Sequence, residues 1–198
     1  MVIEFDPKTH TYVVDGKKLP SVTQVMKRMS DDSYSGIPSN IMEVASDRGS
    51  RVHKAIDDYI SLGEFIDEDD VKPYFKGFLN AVNELGLKIL SSEKLLTNGV
   101  FCGTVDAIVE FKGKRYLVDW KTTTKIHENL VSIQFAGYRE LCAFNGIHID
   151  GSMVIQLNKT TKSGFKHRIV KEDEFTWWLL LEEFKEEENE KAKIEKMG

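Results

Sequence analysis

The feature that most restricts how this chain can fold is a pair of apolar runs, residues 100–111 and 116–121, joined by Lys112-Gly113-Lys114 and carrying charges at their centres. Apolar runs on either side of a Lys-Gly turn read as a β-hairpin, and a strand holds a charge at its middle only where something offsets it. The charges are Asp106, in Gly103-Thr104-Val105-Asp106, and Asp119 and Lys121, in Val118-Asp119-Trp120-Lys121-Thr122. Side chains alternate across a strand, so Asp119 and Lys121 share one face while Tyr116, Val118 and Trp120 point to an apolar layer on the other. A two-residue loop at Lys112-Gly113 sets Asp106 opposite Asp119, and a loop at Gly113-Lys114 sets it opposite Lys121. Either register keeps all three groups on one face. Directly paired Cβ atoms lie about 4.5–5.5 Å apart, so two carboxylates there repel unless a cation lies between them. A hard divalent metal fits that place.

Around the hairpin the periodicity predicts helices over 41–62 and 71–85, a strand over 88–96, a helix over 129–144, strands over 151–157 and 165–170, and a last helix over 172–196. The order helix, three strands, helix, strand is that of an α/β sheet with helices covering its faces. Ahead of it, residues 2–5 and 12–14 read as a small hairpin with Asp15-Gly16 turning, Ser21 as the cap of a short helix, and 30–39 as a Ser/Asp/Gly/Pro loop.

A chain of 198 residues, 41% hydrophobic and 30% charged, suits one soluble globular domain. The opening carries no apolar leader, and no stretch approaches the roughly 20 apolar residues that cross a bilayer, so no membrane partner and a cytoplasmic location are expected. Two cysteines, Cys102 and Cys142, exclude a disulfide framework and a four-cysteine cluster within the chain, and both are expected reduced and partly buried. The net charge of −5 argues against a general electrostatic DNA binder. Its acid is concentrated in 64–70 and 182–195, whereas Arg48, Arg51, Lys54, Lys112, Lys114, Arg115, Lys121 and Lys125 are read as a basic rim near the hairpin and the 41–62 helix.

Three more residues fit the hairpin centre. His53 lies at the edge of a helical apolar stripe, where a neutral imidazole suits manganese-like ions. Gln134 and Tyr138, four apart, share a face of the next helix. Together His53, Asp106, Asp119-Trp120-Lys121 and Gln134-Phe135-Ala136-Gly137-Tyr138 resemble the PD-(D/E)XK nuclease superfamily in its RecB-like branch, in which a histidine, an aspartate, an acidic-x-lysine triplet and QxxxY occur in this order. Leu19-Pro20-Ser21-Val22-Thr23 is similar to the openings of phage exonucleases and mitochondrial genome maintenance exonucleases of that branch, and the resemblance spans 12–157.

The resemblance implies a restriction-endonuclease-like αβββαβ core with a mixed central sheet, organised as a single nuclease domain over 1–198. Its parts are an N-terminal hairpin appendage over 1–39, a catalytic core over 40–158, and a final hairpin strand with an acidic helix over 159–198. It implies a deoxyribonuclease of a bacterium or its phage, using one or two Mg²⁺ or Mn²⁺ ions and acting on single- or double-stranded DNA ends in recombination, repair or replication. A recombination or replication protein is an expected partner. Asp106 and Asp119 hold the metal with His53 and the Trp120 carbonyl, and Lys121 positions or activates the attacking water. Gln134, Tyr138, Arg48, Arg51, Thr122 and Thr123 contact substrate, and Glu93 stands behind the ligands. The chain departs from the pattern in having Val105 where the family's motif has proline, and in lacking the cysteines of an iron–sulfur cluster.

Plainer readings compete. An Asp-x-Lys triplet alone marks many solvated strand ends, His53 alone reads as a core-edge histidine, and Trp177-Trp178 beside Leu179–Leu181 reads as core rather than as a base-stacking platform. His10, His127, His148 and His167 lack ligand spacing and are read as surface residues. A structure-selective endonuclease is the rival enzyme, and a non-catalytic binding module on the same fold is the rival of another class. Three ionisable groups kept on one face, at a desolvation cost, argue against the module.

Overall fold

The computed structural model describes residues 2–6, 11–64 and 68–195. Three short strands, β1 (Ile3–Asp6), β2 (Thr11–Val14) and β3 (Lys17–Leu19), form an antiparallel sheet in that order. The Asp15-Gly16 turn leads into a third strand beyond the expected hairpin, joining β2 to β3 with both residues at positive φ, as tight hairpin turns require. His10 lies outside the described residues.

Ser21 caps α1 (Val22–Val25) in a reciprocal box with Gln24, as the sequence led one to expect. A second short helix, α2 (Lys27–Ser33), occupies part of the expected loop. The long helix α3 (Ser39–Leu62) buries only Val52, Ala55 and Ile56, from its second half, and ends at the left-handed Gly63. Helix α4 (Lys72–Leu85) begins with a proline in its first turn and buries Tyr74, Phe75, Phe78 and Ala81 at helical spacing.

The main sheet follows, with β4 (Lys88–Thr97), β5 (Cys102–Phe111), β6 (Lys114–Lys121), α5 (Glu128–Phe144), β7 (Gly151–Leu157) and β8 (Phe165–Val170), and the chain closes with α6 (Glu174–Glu195). The sheet order is β4-β5-β6-β7-β8, antiparallel except for β6 and β7, which run parallel because α5 carries the chain back across the sheet. This is a mixed α/β sheet with an αβββαβ core, as the sequence implied.

Helices cover both faces. Leu117, Ile108 and Val154 pack under α5, α1 and Trp177 of α6, while Val118, Trp120, Ala107 and Ile155 pack under α3 and α4. The Trp120 ring meets Phe78 edge-on at 5.2 Å. Cys102 and Cys142 are fully rather than partly buried, both as free thiols. Val22 is wholly enclosed in the α5 layer, and Ser21 bridges to Cys102, so the segment after β3 is built into the main body. Among the described residues no helix is long and apolar enough to cross a membrane.

Candidate active site

The turn of the central hairpin decides between the two registers. Lys112 (φ 52°) and Gly113 (φ 76°) form its two loop residues, so Phe111 faces Lys114 and Ala107 faces Val118. One further step sets Asp106 against Asp119. Asp106 Oδ2 accepts a hydrogen bond from the Trp120 amide at 2.9 Å, and Asp119 Oδ1 accepts one from Lys121 Nζ at 2.8 Å. The Asp119 side chain is 3% exposed, and its second oxygen, Oδ2, is buried without a hydrogen-bond partner among the described residues.

Helix α3 brings in His53. Its Nε2 lies 2.7 Å from the Trp120 carbonyl, which makes that nitrogen the donor and turns Nδ1 toward Glu93 Oε1 at 3.5 Å and Asp106 Oδ2 at 3.7 Å. The Trp120 carbonyl, expected as a metal ligand, is thus engaged by the histidine. His53, Glu93 and Asp106 each offer a ligand atom within 4.8 Å of the others. Glu93, read from the sequence as standing behind the ligands, is in the cluster itself. It sits in β4 at φ 42°, a left-handed conformation that costs a non-glycine residue of order 1 kcal/mol or more and recurs at functional sites. An extended strand pattern could not reveal it.

On the other side, α5 supplies a polar chain. Lys121 Nζ donates to Gln134 Oε1 at 3.3 Å, and Gln134 Nε2 donates to the Tyr138 hydroxyl at 3.2 Å. All these groups line one open cleft of about 590 Å³, walled by α3, α5, β4–β6 and the amino-terminal sheet, where Tyr12 pairs its hydroxyl with Thr104 Oγ1 at 3.0 Å. Gly103 makes room for the α5 wall, since a Cβ there would meet Tyr138 Cε1 at 2.8 Å.

Burial governs the charges. Desolvation, with Asp119 adding repulsion and His53 opposing, pushes the Asp106 carboxyl up to about 7. For His53 burial alone would lower the pKa, but Asp106 and Glu93 more than reverse it and hold the imidazole up to about 9. Burial likewise disfavours the Lys121 ammonium, and Asp119 and Asp106 outweigh it, raising its pKa and keeping it protonated. Desolvation, helped by the nearby carboxylates, lifts the Tyr138 hydroxyl well above its ordinary value.

These shifts fix a stability slope. A group whose folded pKa is raised stabilises below its unfolded pKa and loses that contribution as pH climbs through the folded value. Asp106 does so up to about 7 and His53 up to about 9. Asp70, Asp150, Glu172 and Asp173, whose pKa values are lowered, act in the opposite sense at more acidic pH. In chelator the Tm is therefore expected to fall from about pH 5 to about pH 9. A thermal scan across that range with chelator that stays level or rises contradicts this electrostatic arrangement.

Other residues expected at the centre lie elsewhere. Arg51 is turned outward and engaged by Asp47, Glu68 and Asp70. Arg48 stacks over Tyr74 and donates to the Thr122 carbonyl, and Thr122 itself is buried away from the cleft. Thr123 lines a smaller adjoining pocket. Lys54 lines the cleft but pairs with Asp58. Lys112, Lys114 and Arg115 sit at the turn end of the hairpin, at the far end of an eight-residue strand from Lys121, which at about 3.3 Å per residue is about 20 Å or more away. The basic rim read from sequence proximity is accordingly dispersed. Trp177 is core, donating to Glu140 at 2.8 Å, whereas Trp178 is 56% exposed. His148 and His167 are exposed as expected, and His127 is half-buried.

The donor chemistry fits a hard divalent cation: carboxylate oxygens with one imidazole, and a buried carboxylate oxygen left without a partner. A mixed sheet presenting two facing aspartates, a lysine two residues on, and flanking His and Gln/Tyr helices gives this chain its resemblance to the PD-(D/E)XK nucleases of the RecB-like branch.

No family model matches the chain. It is 26% identical over 108 residues to the human mitochondrial genome maintenance exonuclease 1 (Homo sapiens), a match covering 52% of this chain and 30% of that protein, so less than a third of the relative's length is represented. Among solved structures it is similar to an alkaline exonuclease from Laribacter hongkongensis (TM-score 0.40, 12% identity, 75% of this chain and 86% of that one). It is also similar to a phage-related exonuclease from Haemophilus somnus 129PT (TM-score 0.39, 11% identity, 83% and 89%).

Proposed function

We propose that this chain is a Mg²⁺- or Mn²⁺-dependent deoxyribonuclease that hydrolyses phosphodiester bonds from DNA ends, in the service of recombination, repair or replication. The observation that carries the reading is the unpartnered, buried Asp119 Oδ2 beside Asp106. A desolvated carboxylate oxygen with nothing to bond costs about 1–3 kcal/mol or more, and a cation removes that cost. His53, Glu93 and Asp106, whose ligand atoms lie within 4.8 Å of one another, would hold the ion, and Asp119 would complete the set from the neighbouring strand. When bound, such an ion lowers the pKa of its water, polarises a phosphoryl oxygen and stabilises the leaving alkoxide.

The chain's own groups do the rest. Lys121 is clamped by Asp119 and Gln134, and as a protonated donor it orients a phosphate oxygen and offsets charge developing on phosphorus. Gln134 fixes the position of that ammonium, with Tyr138 anchoring Gln134. The Trp120 carbonyl holds His53 through Nε2 and so keeps Nδ1 facing the carboxylates. Two tests bear on the reading. End-labelled single- and double-stranded oligonucleotides should be shortened from free but not blocked termini, only with Mg²⁺ or Mn²⁺, and a closed circular single strand should survive. Opening of the circle makes the chain an endonuclease, and inertness toward every DNA with every metal refutes the proposal. His53→Ala should weaken Mn²⁺ binding roughly tenfold or more in calorimetry, and unchanged affinity removes His53 from the ligand set.

A further inference from the structure

A second cavity, of about 160 Å³, adjoins the cleft at Lys121, and no carboxylate lines it. It shares three wall residues with the cleft, Thr23, Lys121 and Gln134, so the two spaces meet at the lysine. Its character differs from the cleft's. Met26, Leu130 and Val131 are buried core residues that give it an apolar floor, and Tyr34 with His127 forms an aromatic side, the two rings meeting at 4.9 Å and 63°. Ser30, Thr123 and Lys125 add polar groups around it, and Lys125 is exposed.

We propose that this cavity receives the unpaired base of the nucleotide next to the bond cut in the cleft, so that the strand the site accepts is single-stranded at that position. The proposal rests on the nuclease reading of the neighbouring cleft. The argument is one of shape and chemistry. A flat heteroaromatic ring wants an apolar floor, an aromatic neighbour and a few polar groups at its edge, and base–aromatic stacking contributes about 1–3 kcal/mol per base whatever the base. A phosphate wants several converging donors, but apolar and aromatic side chains make up half the lining here. The space admits one ring system and not a stacked pair, and a base still paired in a duplex cannot leave its stack to enter it without unpairing first. The shared wall then ties recognition to chemistry. A base seated against Leu130 and Tyr34 leaves its own sugar-phosphate passing Lys121 and Gln134, at the mouth of the carboxylate cleft.

Apart from the shared Thr23, Lys121 and Gln134, the cavity is built by residues that do not line the cleft. Tyr34 follows α2, and His127 precedes α5. Among the described residues neither is hydrogen-bonded or ion-paired to the carboxylates, so Tyr34 can be changed with the metal ligands left in place, its one electrostatic link to the cleft being with Lys121.

The test uses the full chain and short DNA strands. Affinity is read by fluorescence anisotropy in Ca²⁺, and turnover in Mn²⁺, on a single strand, on the same strand with one abasic residue moved along it, and on a blunt duplex. Tyr34→Leu is expected to weaken single-strand binding roughly 5- to 150-fold, the range of one stacked base, while Tyr34→Phe stays close to the unaltered protein. An abasic residue at one position should cost the unaltered protein as much, and at that position the Tyr34→Leu penalty should vanish. Mn²⁺ affinity by calorimetry should be the same in all three proteins.

Equal penalties on intact and abasic strands overturn the proposal, because they mean that Tyr34 supports the fold or a phosphate contact. Tighter binding of the blunt duplex than of the single strand overturns it as well. Failure of the unaltered protein to cut any DNA refutes the nuclease reading instead. The anisotropy measurements still decide the base pocket in that case, because they need no turnover. If Tyr34→Leu loses its thermal transition, Leu130→Trp, which fills the cavity from its floor, takes its place with the same two-substrate comparison.

Discussion

Replacing Asp119 by asparagine should lower metal-dependent hydrolysis by about 10³-fold or more while leaving the protein folded. The two halves of that expectation come from different atoms. Asparagine keeps an oxygen for Lys121 Nζ, so the 2.8 Å contact survives as a hydrogen bond from the ammonium to an uncharged oxygen, but it takes away the negative charge on which the proposed cation depends. The stability terms oppose each other. Lys121 loses the counter-charge that raises its pKa, and Asp106 loses the like-charged neighbour that adds to the raising of its own. The net change in folding free energy should stay within about 2 kcal/mol. Lys121→Ala is harsher, because it leaves the buried Asp119 carboxylate with both oxygens unpartnered. Turnover in saturating Mn²⁺, a Mn²⁺ calorimetric titration and a thermal melt are the three measurements. Full turnover by Asp119→Asn removes the carboxylate pair from the chemistry altogether.

Gly77→Ala should be the most damaging single-methyl change in the scaffold. Gly77 lies inside α4, where alanine is intrinsically favoured over glycine by about 1 kcal/mol, so propensity alone predicts a gain. Contact predicts a loss. A Cβ on Gly77 would be driven against the carbonyl oxygen of Gly164, with Gly164 C only 2.9 Å away, and both partners are main chain with no side chain to swing aside. Gly164 is itself held at φ +76°, and the turn it belongs to is tied to α4 by Asn80 Nδ2 donating to the Ser163 carbonyl at 2.7 Å. A loss of about 2–3 kcal/mol, lowering Tm by roughly 5–10 °C, is expected from chemical denaturation and melting. Gly49→Ala is the control. Its Cβ meets only Thr122 Oγ1, at an ordinary 3.7 Å, and the helical propensity should then appear undiminished. A stabilised Gly77→Ala would mean that α4 and the β7–β8 turn do not touch as described.

How much of this could be read beforehand follows from the kind of pattern each part left. The strands β5, β6, β7 and β8 and the helices α4 and α5 are bounded by clear turn or capping signals, and their observed bounds lie within two residues of expectation. The hairpin register was narrowed to two by counting and settled by the positive φ of Lys112, which a sequence does not display. Asp106, Asp119, Lys121, His53, Gln134 and Tyr138 converge because each sits at a regular position of a regular element. Glu93 was underrated because its backbone leaves the strand conformation at that residue, so alternation misplaces its side chain. Arg51 was misjudged for the opposite reason. It lies two positions from His53, hence on another side of the helix, and three acids claim it before any substrate could. The pocket beyond Lys121 left no trace in linear order, since its two aromatic residues are separated by most of the main sheet.

The parallel pairing of β6 with β7 sets a timetable for synthesis. A nascent chain can close β4, β5 and β6 by short hairpin steps, but that much of the sheet has α3 and α4 on one face and only the short α1 segment on the other. The covering of Leu117 and Ile108 stays incomplete until α5 has left the ribosome and β7 has paired behind it. The same helix delivers Gln134 and Tyr138, so the acids and the lysine acquire their last neighbours only when the sheet becomes two-sided. Shielding of the nascent core and completion of the cleft are thus one event, and a chain stalled before α5 exposes a sticky β-surface with no finished site to show for it.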